Sequence, residues 1–402
     1  MRTAPTRADQ IVQTLQAYGV PYVATLSGNG TDPLYLACAR NKMRLVDFRN
    51  EQGAAYAADA YARLTGRLGV VLVSSGVAHV NALTGLLNAY FDGAPVLLIT
   101  GASDSSHMDA GRFQDLNHAA LAEPICKYAK EVNQADRVVF YLQEAIGRAL
   151  SGRPGPVHLT IPTDVLFAEA PPVTLPRMTK TSGIAQPRAA GDPALIAEAA
   201  KLLSKAKRPV LVQGSGAFYA QAGDAMDHLA AKMSIPVVVP IWERGVVDKP
   251  EPYFLGVVGA ASGGPQLLPD ADAVLIVGSQ VDYRLGYAEP PTIKADASII
   301  RIDAVFIISL LYWFAVSDHD SYQTASFPCT LHLDCAGRKG VCVIDLPSNL
   351  VLWWDHSLHI PTRGAGYELA AVFYHAKSIE AVCQAVNQAA NCPMKNPALK
   401  RW

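Results

Sequence analysis

No run of apolar residues in this chain is long enough to cross a bilayer. The most apolar stretch, Val305 to Val316, falls well short of the roughly 20 residues that a spanning helix needs. Met1-Arg2-Thr3-Ala4-Pro5 has no apolar signal core, so a soluble, cytoplasmic protein with no membrane partner is expected. In that setting the Asn29-Gly30-Thr31 triplet is not expected to be glycosylated. An excess of one charge is also missing. Lys plus Arg total 34 and Asp plus Glu 35, a formal net charge of -1. Without a basic block, no nucleic-acid surface is expected. Five of the 7 cysteines fall after residue 328, and a cytoplasmic chain keeps such thiols reduced. Cys329, His332 and Cys335 lack a clear fourth ligand, so a zinc site is not expected.

Much of the remaining pattern alternates strand and helix. Over residues 1–162, Val20 to Leu26, Met43 to Phe48, Gly69 to Ser74, Pro95 to Thr100 and Val157 to Ile161 are short apolar or alternating runs separated by helical spacing. That order predicts an α/β fold with a doubly wound parallel sheet covered on both faces. Thr6-Arg7-Ala8-Asp9 has the form of a capping box, and Gly19 ends the helix behind it. Residues 163–190 are rich in proline and alanine and read as a linker. A second α/β domain follows over 191–304, where Asp192-Pro193 starts a helix. Its strands are expected at Pro209 to Gln213, Pro236 to Pro240, Ala273 to Val277 and Ser298 to Ile302. Residues 305–402 differ in character and form an atypical tail whose fold the sequence does not reveal.

The most informative junction is Arg49-Asn50-Glu51-Gln52-Gly53-Ala54-Ala55-Tyr56. Met43 to Phe48 alternates like a strand, whereas Ala54, Ala58, Tyr61 and Ala62 recur at helical spacing until Gly66. Glu51 therefore lies near the carboxyl end of a strand, where open α/β sheets bind ligands. It equally suits a helix start, where a carboxylate complements the dipole. Both readings stand on local pattern alone.

The wider stretch resembles the N-terminal, pyrimidine-binding domain of thiamine-diphosphate enzymes of the acetolactate synthase and 2-hydroxyacyl-CoA lyase group. The residues that carry the resemblance are Ala8-Asp9, Tyr18-Gly19-Val20, the Glu51 segment, Ser74-Ser75-Gly76 to Asn81, Pro95 to Gly101, Phe113-Gln114, Pro124 with Lys127, and Gly152 to Val157. The resemblance implies that Glu51 hydrogen-bonds a pyrimidine nitrogen of thiamine diphosphate. Proton sharing there favours the imino tautomer, whose exocyclic nitrogen can deprotonate the thiazolium carbon. It also implies that Gly76, Val77 and Asn81 border the cofactor and that Gln114 reaches toward substrate with an amide able to donate and accept. Val77 and Ala78 stand where the family has proline and glycine. His79 follows them, either as a proton-transfer residue or as a helix-cap or surface histidine.

By the same resemblance, residues 191–304 form a Rossmann-like central domain, which in some family members holds a flavin or nucleotide. Here Gly214-Ser215-Gly216 is followed by Tyr219 where the third glycine of the dinucleotide fingerprint belongs, so bound FAD is not expected. Arg284 could meet a phosphate or serve structure. The resemblance stops at Ala304. The family's Gly-Asp-Gly segment, which with later asparagines binds Mg2+ and the diphosphate, occurs nowhere in the sequence. The expected function is a thiamine-diphosphate-dependent carboligase or decarboxylase acting on a 2-keto acid or acyl substrate, impaired in this chain. The alternative is a noncatalytic truncated paralogue that pairs with intact subunits. Family architecture implies a homo-dimer or tetramer, with apolar surface left uncovered on the helices after Glu51 and Gly76.

Overall fold

The computed structural model describes residues 4–107, 110–171, 191–243, 252–259 and 266–303. In the tail it describes the short strands Gln323–Thr324, Gly340–Cys342, Trp353–Trp354 and Ala370–Val372. The expected linker lies mostly outside these residues, as does the rest of the tail with its Cys329, His332 and Cys335. The chain divides into two compact units, 1–186 and 187–402.

In the first unit, α1 (Arg7–Ala17) begins with a complete capping box between Thr6 and Asp9. Asp9 also accepts from Arg40 and Asn41. Burial alone would raise its pKa, but these bonds and those from Thr6 hold it down at about 2. Then follow β1 (Tyr22–Leu26), α2 (Asp32–Arg40), β2 (Arg44–Asp47), α3 (Glu51–Thr65), β3 (Gly69–Val73), α4 (Val77–Asp92) and β4 (Val96–Ala102). The unit continues with α5 (His118–Ala122), β5 (Tyr128–Glu131), α6 (Val138–Leu150), β6 (Val157–Pro162) and α7 (Thr163–Phe167). The strands form one six-stranded sheet in the order β2-β1-β3-β4-β6-β5, with every neighbour parallel. The order reverses direction at β1, so the crevice beyond the carboxyl ends of β1 and β3 is the topological switch point.

The two sheet faces are packed differently. One buries large side chains, among them Ile11, Leu15, Leu72, Leu97 and Leu159. The other is alanine-rich, with Ala54, Ala55, Ala58, Ala62, Ala82 and Ala89 around Val71, Val73 and Leu86. Small residues let backbones approach. A Cβ on Gly85 would stand 2.4 Å from Ala55 Cβ, and one on Gly69 would stand 2.3 Å from the Ala58 carbonyl oxygen. Helices α3 and α4 thus lie against each other and against the sheet. Asn88 Nδ2 donates to Asp59 at 2.8 Å, and Arg63 pairs with both Asp59 and Asp92.

The second unit repeats the scheme with α8 (Pro193–Lys205), β7 (Pro209–Gln213), α9 (Ser215–Tyr219), α10 (Gly223–Met233), β8 (Val237–Pro240), β9 (Phe254–Val258), β10 (Ala273–Val277) and β11 (Ser298–Ile302). These strands run β11-β10-β7-β8-β9, all parallel. The chain is therefore two parallel-sheet α/β units in succession, as the alternating sequence pattern predicts. Among the described residues, no helix is long and apolar enough to cross a membrane.

Candidate functional site

Glu51 is the first residue of α3. Asn50 caps that helix, accepting from the Gln52 N–H at 2.8 Å. Glu51 therefore stands both just beyond the carboxyl end of β2 and at a helix start, because the loop after β2 leads directly into the helix. Its Oε2 accepts from Asn81 Nδ2 at 2.9 Å. Asn81 lies one turn into α4, so the close α3–α4 packing brings the two side chains together.

The turn before α4 is held from two sides. Gly76 has φ +60 and ψ -115, a conformation that glycine alone adopts without strain. A Cβ at Gly76 would stand 2.5 Å from Gln114 Cβ, and Gln114 itself has φ +59. Ser75 Oγ donates to Gln114 Oε1 at 3.4 Å, and the Gly76 N–H donates to His118 Nε2 at 2.8 Å. On the other side, Asn29 Nδ2 donates to Ser75 Oγ at 3.0 Å and to Ser103 Oγ at 3.3 Å. Gly28 and Gly30 make this possible, since a Cβ at either would collide with Ser74 or with the Gly101–Ala102 backbone. The Ser27–Gly30 turn thus has a packing function that its sequence does not announce.

Two pairs thus stand about a helical turn apart on α4: Asn81 with Glu51, and Gly76 with Gln114. Val77 opens α4 with its side chain 63% exposed, and Phe113 is 72% exposed beside Gln114. No side chain caps α4, so its first amides carry the positive end of the helix dipole.

His79 is neither a cap nor a surface residue. It is fully buried, and its Nδ1 bonds to Thr100 Oγ1 at 2.9 Å. His158 Nε2 bonds the same hydroxyl at 3.0 Å. Burial, together with the neighbouring His118, pulls the His79 pKa down to about 3. Burial lowers His118 too, against the pull of Asp115. It takes His158 well below its ordinary value, helped by His79 and His118. Lys127 is half-buried and tied to the backbone of a neighbouring loop. Its Nζ donates to the carbonyls of Arg148, Ser151 and Arg153 at 2.5, 2.6 and 2.8 Å. Burial and the adjacent Arg153 and Arg148 bring its pKa to about 8. Arg112 is half-buried and the His107 side chain lies outside the described residues.

In the second unit, Arg284 is buried and paired with two carboxylates, Glu243 at 3.0 Å and Asp282 at 2.9 Å. Glu243 also accepts from the Ser215 N–H at 2.7 Å and from Ser279 Oγ at 3.2 Å. The arginine thus serves structure, with its charge balanced inside the unit. Gly214 answers to packing as well, because a Cβ there would stand 2.2 Å from the Gly278 carbonyl oxygen.

Comparison with known proteins agrees with this fold. Residues 5–121 match the thiamine pyrophosphate enzyme N-terminal TPP binding domain, and residues 196–306 match the thiamine pyrophosphate enzyme central domain. An acetolactate synthase from Arthrospira platensis is 33% identical over 308 residues, covering 74% of this chain and 53% of the relative. A 2-hydroxyacyl-CoA lyase 2 from Mus musculus is 30% identical over 338 residues, covering 76% and 53%. The chain spans about half the length of these curated relatives. The X-ray structure of a protein described as a thiamin diphosphate-dependent enzyme, from Mycobacterium smegmatis, superposes with a TM-score of 0.65 over 75% of this chain and 58% of that one. At 24% identity, this last likeness speaks for the fold. The chain belongs to the thiamine pyrophosphate enzyme family.

Proposed function

From that family membership, we propose that the first unit holds the aminopyrimidine half of thiamine diphosphate, with Glu51 as the carboxylate that shares a proton with the ring. The observation that carries this is the hydrogen bond from Asn81 to Glu51 Oε2, which ties the start of α3 to the first turns of α4. Asn81 engages only Oε2, and Oε1 accepts no hydrogen bond among the described residues. That leaves an oriented acceptor beside the uncapped start of α4, which fits a ring nitrogen. Asn81 orients the carboxylate, Gly76 and Val77 form the wall of the cleft, and Gln114 presents an amide to a substrate carbonyl.

The diphosphate half is a different matter. Among the described residues no group of three or more His, Cys, Asp or Glu is placed to hold a metal ion. We therefore assign no described residue to the magnesium-bound diphosphate. When bound, thiamine diphosphate supplies a thiazolium carbon acid suited to attack on a 2-keto acid or acyl carbonyl. Acetolactate synthase-like carboligation or decarboxylation is accordingly the proposed reaction class. Calorimetric titration of thiamine diphosphate into the wild-type chain and into Glu51→Ala tests the site. Loss of a hydrogen bond to a charged group is worth about 1.5–3 kcal/mol, so affinity should fall roughly tenfold or more. Equal affinity in the two proteins would overturn the assignment.

We further propose that the chain self-associates through α3 and α4. Val77, Val80, Leu87 and Phe91 are exposed along α4, with Tyr56 and Leu64 exposed on α3. Val77, Val80, Leu87 and Phe91 recur at helical spacing on one side of α4, with the exposed Thr84 between them, and exposed apolar side chains grouped this way mark partner contacts. Light scattering is expected to give a mass above that of one chain, reduced by Val80→Glu combined with Leu87→Glu. A wild-type monomer at high concentration would contradict this.

A further inference from the structure

Two consecutive residues of the turn before α4 are gripped by one segment of chain. Ser75 Oγ donates to Gln114 Oε1, and the Gly76 N–H donates to His118 Nε2 at 2.8 Å. Residues 114 and 118 belong to the same loop and helix start. The segment that presents the substrate-facing glutamine is therefore the one that fixes the Gly76 backbone, and His118 is its buried anchor, 4% exposed.

An imidazole accepts only at a ring nitrogen that carries no proton. His118 must therefore be neutral, with its hydrogen on Nδ1. A doubly protonated ring has two donors and would confront the Gly76 N–H with another N–H. The surroundings favour the neutral form. The His79 ring on α4 stands edge-on to His118 with centroids 4.9 Å apart, and the His158 ring on β6 is 4.6 Å from His79. Thr100 on β4 bonds both of those rings, and Thr160 bonds His158 at 3.2 Å. These groups are all buried, so a charge on any ring would meet its neighbours with little screening. Asp115 is the one charged group that favours protonation of His118.

We infer that His118 is a positioning residue: as a neutral imidazole it locks the Ser74–Val77 turn to the Gln114 loop, and it releases the turn when protonated. This rests on the cofactor assignment for its catalytic meaning, though the clamp itself rests on geometry. The first unit's crevice then has two supports. Asn81 sets Glu51, and His118 sets the wall opposite.

The test uses the full chain labelled with 15N at glycine and histidine. Near neutral pH, His118 is expected to show an unprotonated Nε2 and a protonated Nδ1, with slow exchange of the Gly76 amide. His118→Leu should speed that exchange at least about tenfold, the effect of losing one buried hydrogen bond. His118→Gln, whose amide oxygen can accept, should restore most of the protection. On acidification, the Gly76 and His118 signals should change together, below the ordinary histidine range. A proton on Nε2 near neutrality, or unchanged Gly76 exchange in His118→Leu, overturns the inference. If His118→Leu fails to fold, the wild-type tautomer and the joint titration still decide. Added thiamine diphosphate should also move the Gly76 signal in the wild type and His118→Gln more than in His118→Leu. If it moves no signal in any form, the cofactor assignment falls, while the clamp is judged on tautomer and exchange.

Discussion

Given thiamine diphosphate, magnesium and pyruvate, the purified chain is expected to release carbon dioxide no faster than a protein-free control. Several negative charges on a diphosphate call for a metal and oriented donors. No Gly-Asp-Gly occurs in the sequence, and the described residues offer no metal-binding cluster. Positioning is the largest asset at stake. Holding reacting groups together is worth about 7–11 kcal/mol of a barrier, and an unanchored thiazolium forfeits most of it even with Glu51 in place. Rapid release that disappears in Glu51→Gln would mean that the tail supplies an anchor of another kind.

Gly76→Val is expected to destabilise the first unit and to abolish cofactor binding. Valine at φ +60 carries a strain of about 1–3 kcal/mol, and its Cβ would fall 2.5 Å from Gln114 Cβ. The side chain must push the Gln114 loop away, breaking the Ser75 and His118 bonds with it. Gly85→Val is the informative partner. Its clash is with Ala55, between α3 and α4, and overpacking of that kind costs about 1–3 kcal/mol. Chemical denaturation should show both losses. Only Gly85→Val should leave the Gly76–His118 bond intact, because Gly85 lies roughly two turns further along α4. Wild-type stability in Gly76→Val would show that the turn is free to rearrange.

The parts of this fold that read directly from sequence are those where local pattern and burial coincide. Gly69–Val73 and Ala273–Val277 are buried throughout, so each appears as an uninterrupted apolar run. Tyr128–Glu131 and Phe254–Val258 stand at sheet edges and are mostly half-exposed. They pair as strands because neighbouring strands hold them: Tyr128–Glu131 carries no such run, and Gly256 interrupts the one in Phe254–Val258. Glu51 was legible as a junction because a strand pattern stops and a helical pattern starts around it. Its contact with Asn81 was not, since 30 residues separate them and the packing of α3 against α4, close at Gly85 and Ala55, brings them together. The same holds for His79, Thr100, His118 and His158, which lie on four different elements. A lone histidine has no local signature that separates a buried, neutral ring from a surface one. Lys127 and Arg284 likewise have partners distant in sequence or loop-borne, so their burial could not be inferred from spacing.

We propose that the first unit grips the pyrimidine half of the cofactor, and we assign no described residue to its diphosphate. Competition measures this most directly. With a fluorescent or calorimetric signal from bound thiamine diphosphate, free thiamine is expected to displace the cofactor from the wild-type chain at a concentration comparable with the cofactor's own, and more weakly from Glu51→Ala. Inorganic diphosphate should displace little or nothing. Displacement by inorganic diphosphate with no effect of thiamine would contradict the account, because it would place the binding energy on the phosphates and leave Glu51 outside the site.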